Sequence, residues 1–304
     1  MRLVVRTIYG SSLQTSRQLG VPYTIPEFTT INEGLDDAQI IPYQPSSATL
    51  GMEYANSYDF ANDSRDIKVQ YFCIGFGGHR GVNGPVNGIT KIDPIPHKTT
   101  DSGLYNILPF VIRPIGDDLS VEERRNLRLR KTMLIDGELY VGYFARKLDV
   151  EDTSPELKIT SVSNGQETTT LFTPSASNMK PTKPSVGVEN DGTYAHVSGN
   201  IQIEFTQTDV LWFREAIELL YGDPGYAIIS EIAICSGVDK LITQRYPQTG
   251  VQTSVSVTGE TIKEAVGTQP VAFISTFHTT EATSDGVSLG FDLGATEPLY
   301  GSEQ

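Results

Sequence analysis

The 58 residues from Ile92 to Asp149 constrain the fold more than any other stretch. They read IDPIPHKTTDSGLYNILPFVIRPIGDDLSVEERRNLRLRKTMLIDGELYVGYFARKLD. Pro94 and Pro96 hold the chain around His97 extended, because proline fixes its own φ and keeps its predecessor out of the α region. Asp136-Gly137 lies between TMLI and ELYVGYF. Both residues tolerate positive φ, so the pair predicts a tight β-hairpin with a strand on each side. Ser120-Val-Glu-Glu123 is a capping-box signature and predicts a short helix ending near Asn126 or Arg130.

The rest of the chain is punctuated in the same way, with 28 Gly and 17 Pro in 304 residues. Leu3–Ile8 predicts a first strand. After it, Pro22, Pro26, Pro42 and Pro45 interrupt regular structure, and residues 1–50 are expected to form an extended N-terminal arm laid on something else. Asp66 to Phe76 alternates and then turns wholly apolar, as a strand does. GGHRGVNGPVNG follows as a turning loop or hairpin. Residues 151–200 are rich in Ser, Thr, Pro, Asn and Gly and predict short strands with exposed loops or a linker. IQIEF predicts a strand. The clearest helix spans about 206–221, where Val210, Phe213, Ile217 and Leu220 share a face, Thr206 or Thr208 caps the start and Gly222-Asp-Pro224 ends it. Strands are expected at Tyr226–Cys235, VSVTG, VAFISTFHTT and VSLGFDL, the last two as an antiparallel pair.

The fold class expected from this pattern is α+β, mostly β, with antiparallel sheets, few helices and long loops. The expected domains are a discontinuous β-rich outer domain, residues 1–78 plus 200–304 with the 206–221 helix covering its sheet, and an inserted loop-rich domain, 79–199, carrying the capped helix and the Asp136-Gly137 hairpin.

Charge excludes some functions. The formal net charge is −14, and it is uneven: residues 1–150 hold 16 Lys+Arg against 17 Asp+Glu, residues 151–304 hold 7 against 20. Phosphate binding needs concentrated cations, so nucleic acid is not expected as the primary ligand. MRLVVRTIYG lacks the apolar core of a signal peptide and the chain has no long apolar run, so synthesis in the cytoplasm without a membrane partner is expected.

Candidate chemistry is sparse. The glycine-rich loop lacks the spacing of a phosphate loop or a dinucleotide turn. His79, His97, His196 and His278 are too far apart for a local metal motif, and Cys73 and Cys235 sit in apolar runs that suit inert thiols. Asp59, Asp63 and Asp66 lack a calcium-loop pattern. Asp292 and Glu297 are the nearest approach to a pair of catalytic acids. No catalytic, cofactor-binding or metal-ligating residue is assigned, and the chain is expected not to be an enzyme. The strongest electrostatic feature is the run Arg124, Arg125, Arg128, Arg130 and Lys131, taken as a candidate subunit contact because the other half of the chain is acidic. A solvated surface and nucleic-acid contact are its other readings.

The segments DIKVQYFCIGFGGH, IPHKTTDSGLYNILPFVIRP and RNLRLRKTMLIDGELYVGYFARKLD, with ISEIAICSG, VAFISTF and GFDLGATEPLYG near the end, resemble structural proteins of tailed bacteriophages in style and order. The chain looks most like a baseplate-wedge or tail/neck component of a contractile-tailed phage. The resemblance implies a virion protein made in the host cytoplasm, acting through contacts with other virion subunits in a homo- or hetero-oligomer. Capsid decoration, or a carbohydrate- or receptor-binding module of the virion, is the alternative. The resemblance carries over no individual functional residue.

Overall fold

The computed structural model describes residues 3–21, 23, 67–83, 90–150, 153–163, 165–181, 192–244, 260–280 and 286–299. Most of the expected arm, along with VSVTG, Asp59, Asp63 and Asp66, lies outside them. The chain divides into two compact units, residues 1–148 with 205–286 and residues 149–204 with 287–304. The fold is mostly β, with antiparallel sheets and, among the described residues, two α-helices.

The first unit is built on one antiparallel sheet. Its strands are β1 (Leu3–Arg6), β2 (Lys68–Gly75), β5 (Ile107–Leu108), β6 (Val111–Pro114), β7 (Leu127–Ile135), β8 (Glu138–Lys147), β13 (Ile228–Gln244) and β14 (Glu260–Thr279). The order is β1-β14-β13-β2-β8-β6, with β5 beside β2 and β7 beside β8. Because β7 follows β8 along nearly its whole length, β2 and β6 must share the opposite edge of β8. The hairpin turn is as expected: Asp136 has φ 51° and Gly137 φ 84°, and Ile135 faces Glu138. A separate ribbon of β3 (His79–Asn83) and β4 (Thr90–Pro94) grows from the glycine-rich segment.

This sheet corrects the expected domain boundaries. Strands β5 to β8, assigned to an insertion, pair with β2 and with one another in the main sheet, and the smaller unit begins only at Asp149. The β2–β8 and β2–β5 pairings join sequence-distant segments, which local patterning cannot reveal.

Helix α2 (Gln207–Tyr221) matches its expected span. Thr206 Oγ1 accepts from Asp209 N while the Asp209 carboxylate accepts from Thr206 N, a complete capping box, and Gly222 ends the helix at φ 75°. Val210, Phe213, Ala216 and Ile217 are buried, and Ala216 joins the core of Tyr71, Cys73, Phe144, Ala233, Cys235 and Phe273. Phe72, Phe110 and Phe205 form an edge-and-stack cluster with centroids 5.3–6.0 Å apart.

Helix α1 (Ile8–Leu19) replaces part of the expected arm and of the first strand, which stops at Arg6. Its sequence, IYGSSLQTSRQL, buries only Leu13, so it shows almost no apolar periodicity. Docking defines it. Thr7 accepts from Gly10 N, Thr7 Oγ1 donates to the Pro270 carbonyl at 2.6 Å and Gly20 ends the helix at φ 65°. A Cβ on Gly10 would stand 2.5 Å from the Val271 carbonyl, so only glycine lets α1 lie this close to β14.

The Ser120–Glu123 signature does not start a helix. Glu123 does accept from Ser120 N (2.9 Å) and Ser120 Oγ from Glu123 N (3.4 Å), but residues 121–126 form turns and the chain enters β7 at Leu127. The β7–β8 ladder outweighs helix propagation here.

The second unit holds a four-stranded antiparallel sheet in the order β10-β9-β11-β16, from β9 (Glu156–Ser163), β10 (Gln166–Leu171), β11 (Tyr194–Ser198) and β16 (Ala295–Pro298). Strand β12 (Asn200–Phe205) pairs with β15 (Val287–Asp292). The expected pairing of VAFISTFHTT with VSLGFDL does not occur. The first belongs to β14, flanked by β13 and β1, and the second is β15.

Candidate functional site

Glu231 sits near the start of β13, within the apolar run YAIISEIAIC, with its side chain fully buried. A lone carboxylate there is costly unless its acceptor capacity is filled. It is filled. Glu231 Oε2 meets His97 Nε2 at 2.8 Å and accepts from Tyr105 N at 3.1 Å, and Oε1 accepts from Asn106 N at 3.0 Å. His97 Nδ1 lies 3.2 Å from Asp101 Oδ2, which also accepts from Lys98 N at 2.9 Å. The imidazole is stacked between Tyr105 and Phe273, with centroids 4.3 and 4.0 Å away and planes tilted by 17°.

The sequence places these groups through its prolines and glycines. Pro94 and Pro96 extend the chain so that His97 reaches the sheet, Ile95 N donates to the Gly78 carbonyl, and Ser275 Oγ donates to the Ile95 carbonyl. Ser230 Oγ accepts from Gly77 N (2.9 Å) and Gly78 N (3.0 Å). A Cβ at Gly75 would stand 2.6 Å from Glu231 Oε1, so the glycines make room for the carboxylate. His79 packs edge-on to Phe76 and Phe277, and burial lowers its pKa against the opposing field of Glu231.

The basic run is placed differently from the sequence expectation. Arg124, Arg128, Arg130 and Lys131 are buried, and only Arg125 is exposed. Two internal carboxylates organise the run. Asp239, from β13, takes a bidentate contact from Arg128 (2.7 and 2.9 Å) and a hydrogen bond from Tyr71 Oη (2.7 Å), with Lys147 at 3.6 Å. Asp118 takes Arg130 Nε (3.0 Å), Tyr143 Oη (2.8 Å) and its neighbour Leu119 N (2.7 Å), with Arg124 at 3.6 Å. The proposed contact face is therefore an internal clamp. Residues 127–131 are buried without alternation, and Asp118 from the preceding segment and Asp239 from the distant β13 meet the arginines.

The pKa shifts follow. Burial pushes Asp239 up, but the Arg128 and Tyr71 hydrogen bonds outweigh it and its pKa is lowered. Burial would lower Arg128, but Asp239 reverses that and its pKa is raised. Burial raises the phenols of Tyr71 and Tyr143, reinforced by the acids they bond.

Glu264, from β14, forms a third internal anion. It accepts from Leu129 N (2.5 Å), Arg130 N (3.1 Å) and its own neighbour Ala265 N (2.8 Å). Leu129 has φ 52°, a left-handed conformation that costs a leucine about 1–2 kcal/mol and aims two successive amides at one carboxylate, an anion-binding nest. Burial raises the Glu264 pKa, and the amides only partly offset it.

The remaining candidates separate in space or serve local roles. Asp292 accepts from Ser198 Oγ, Gly199 N and Gly294 N, each at 2.7 Å, while Glu297 lies on β16 opposite Ala195. Cys73 and Cys235 are free, buried thiols on the adjacent strands β2 and β13, and burial raises the Cys235 pKa. His196 lies beside Tyr194 in the second unit. Among the described residues no group of three or more His, Cys, Asp or Glu side chains is placed to hold a metal ion, and no helix is long and apolar enough to cross a membrane.

Sequence reasoning singled out His97 but passed over Glu231, Glu264, Asp118 and Asp239. The usable signal was a single acid inside an apolar strand, as in IISEIAI, since such an acid needs an internal partner. What the cluster does chemically is hold segments 95–106 and 118–131 against β13 and β14.

The chain belongs to a family of unknown function, DUF7208, whose family model matches residues 1–304. No curated protein and no solved structure matches it.

Proposed function

We propose that this chain is a structural subunit of a tailed-bacteriophage virion, in the baseplate wedge or the tail and neck, and that it works by contacts with other subunits rather than by catalysis. The observation carrying the reading is the use of its charged side chains. Glu231, Glu264 and Asp239 are bound to backbone amides, histidine or arginine of distant segments, and Asp118 ties Arg130 and Tyr143 to the segment before β7, so each serves as an internal brace. A mainly β body braced this way suits a component that transmits force between neighbours. The phage-like segments named above, which include β2, β7, β8 and part of β13, support the same reading.

The test uses a phage that encodes this chain with an epitope tag. Purified particles are analysed by quantitative mass spectrometry and by gold labelling in the electron microscope. The expected outcome is a fixed copy number per particle with label confined to the tail or its ends. A tagged chain abundant in infected cells yet missing from purified particles overturns the proposal, and label over the head moves it to the capsid.

A further inference from the structure

Strand β10 is the last strand of its sheet among the described residues, and all six of its residues are exposed. Its ladder with β9 runs without a register shift from Gln166↔Ser163 to Leu171↔Lys158. Just beyond it, Phe172 N donates to the Leu157 carbonyl at 2.7 Å. Antiparallel bonding alternates along a strand, so Gln166, Thr168 and Thr170 turn their peptide groups toward β9, and Glu167, Thr169 and Leu171 turn theirs outward.

Exposed edges are usually blunted by lysine, proline, a bulge or a covering element. QETTTL has no lysine or proline, and its register shows no bulge. Two other edges differ. At the opposite side of this sheet β16 is four residues long and ends on Pro298, and in the first unit Glu264 occupies the amides of Leu129 and Arg130 on β7. Charge indicates what fits. The second unit holds 11 Asp+Glu against 3 Lys and no Arg, a net −8. A second copy brings the same charge, whereas a cationic strand gains from the field.

We propose that β10 is a docking edge that takes an extended Lys- or Arg-bearing segment of a neighbouring protein as an added strand. This names one contact of the subunit described above and rests on that reading. The test is hydrogen exchange on the whole protein with a short synthetic peptide alternating Lys with Thr and Val, and with its Glu-for-Lys counterpart. The lysine peptide is expected to slow exchange at Glu167, Thr169 and Leu171 and to leave the inward amides unchanged. Leu171→Pro removes an outward donor and Leu171→Lys adds a repelling charge, so each is expected to weaken binding about tenfold. Leu171→Ala controls for the lost side chain and is expected to keep it. Equal protection by both peptides, no protection by either, or concentration-dependent protection of these amides without peptide overturns the inference, the last by making a second copy the occupant. Wild-type chain missing from particles sinks the subunit reading alone.

Discussion

Replacing Glu231 tests whether the buried acid braces the 95–106 segment. In Glu231→Ala, His97 Nε2 and the amides of Tyr105 and Asn106 all lose their acceptor. A buried donor left unsatisfied costs about 1–3 kcal/mol. Tyr105 and Asn106 are exposed residues, so water can reach their freed amides and those two losses fall at the low end. The sum is then about 3–5 kcal/mol, the range found when one partner of a buried ionic contact is removed. Glu231→Gln keeps the shape and one acceptor but turns an NH2 toward either His97 and Tyr105 or Asn106, for about 1.5–3 kcal/mol. Urea denaturation gives the totals, and amide exchange at Tyr105 and Asn106 shows whether the loss is local. Adding His97→Gln closes a double-mutant cycle, in which directly bonded groups are expected to couple by about 1 kcal/mol or more. A cost below about 1 kcal/mol for Glu231→Ala, or additivity of the two substitutions with unchanged exchange at those amides, would refute the reasoning.

Four other outcomes follow from the same structure. Arg128→Ala should destabilise by about 3 kcal/mol because it takes the bidentate cation from the Asp239 carboxylate and leaves it only Tyr71 Oη and the more distant Lys147, while Arg125→Ala should stay within about 0.5 kcal/mol; chemical denaturation compares them. Asp239 has a lowered folded pKa, so its stabilisation is present above the ordinary carboxylate range and lost as pH falls through the folded value; the gap in melting temperature between wild type and Asp239→Asn should close on acidification. Glu264 is raised, so the wild type should lose stability as pH rises from the ordinary Glu range through the folded value, a slope that Glu264→Gln removes in denaturation series across pH. Phe213→Ala and Ile217→Ala should each cost about 2–5 kcal/mol, and values below about 1 kcal/mol in denaturant titrations would detach α2 from the core.

Elements with complete local signals were legible in the sequence. The Asp136-Gly137 hairpin needs only two residues that accept positive φ, and α2 carries its cap, its stripe and its glycine stop within one segment. Helix α1 was not legible because its Gly10 and serines are poor helix formers and its stability comes from Thr7 and β14. The Ser120–Glu123 box was misleading for the converse reason, since a correct local signal lost to strand pairing by the next residues. The candidate site was half legible. His97 stood out by its prolines, but its partner Glu231 is 134 residues away, and the basic run looked like a surface because Asp239 and Glu264 arrive only through the sheet.

The pairing of β1 with β14 sets a schedule for the ribosome. Leu3 is matched to Ser275 and Arg6 to Ala272, and the α1 cap at Thr7 also donates to Pro270. At roughly 5–20 residues per second, β1 waits on the order of 15–55 s for its partner to be synthesised. Until then the apolar Leu3–Val5 segment has no native ladder and is open to other chains. A nascent-chain chaperone, or rapid capture by the correct neighbour, would act in that interval, and slowing translation near residue 270 should raise the aggregated fraction without altering the stability of the finished protein.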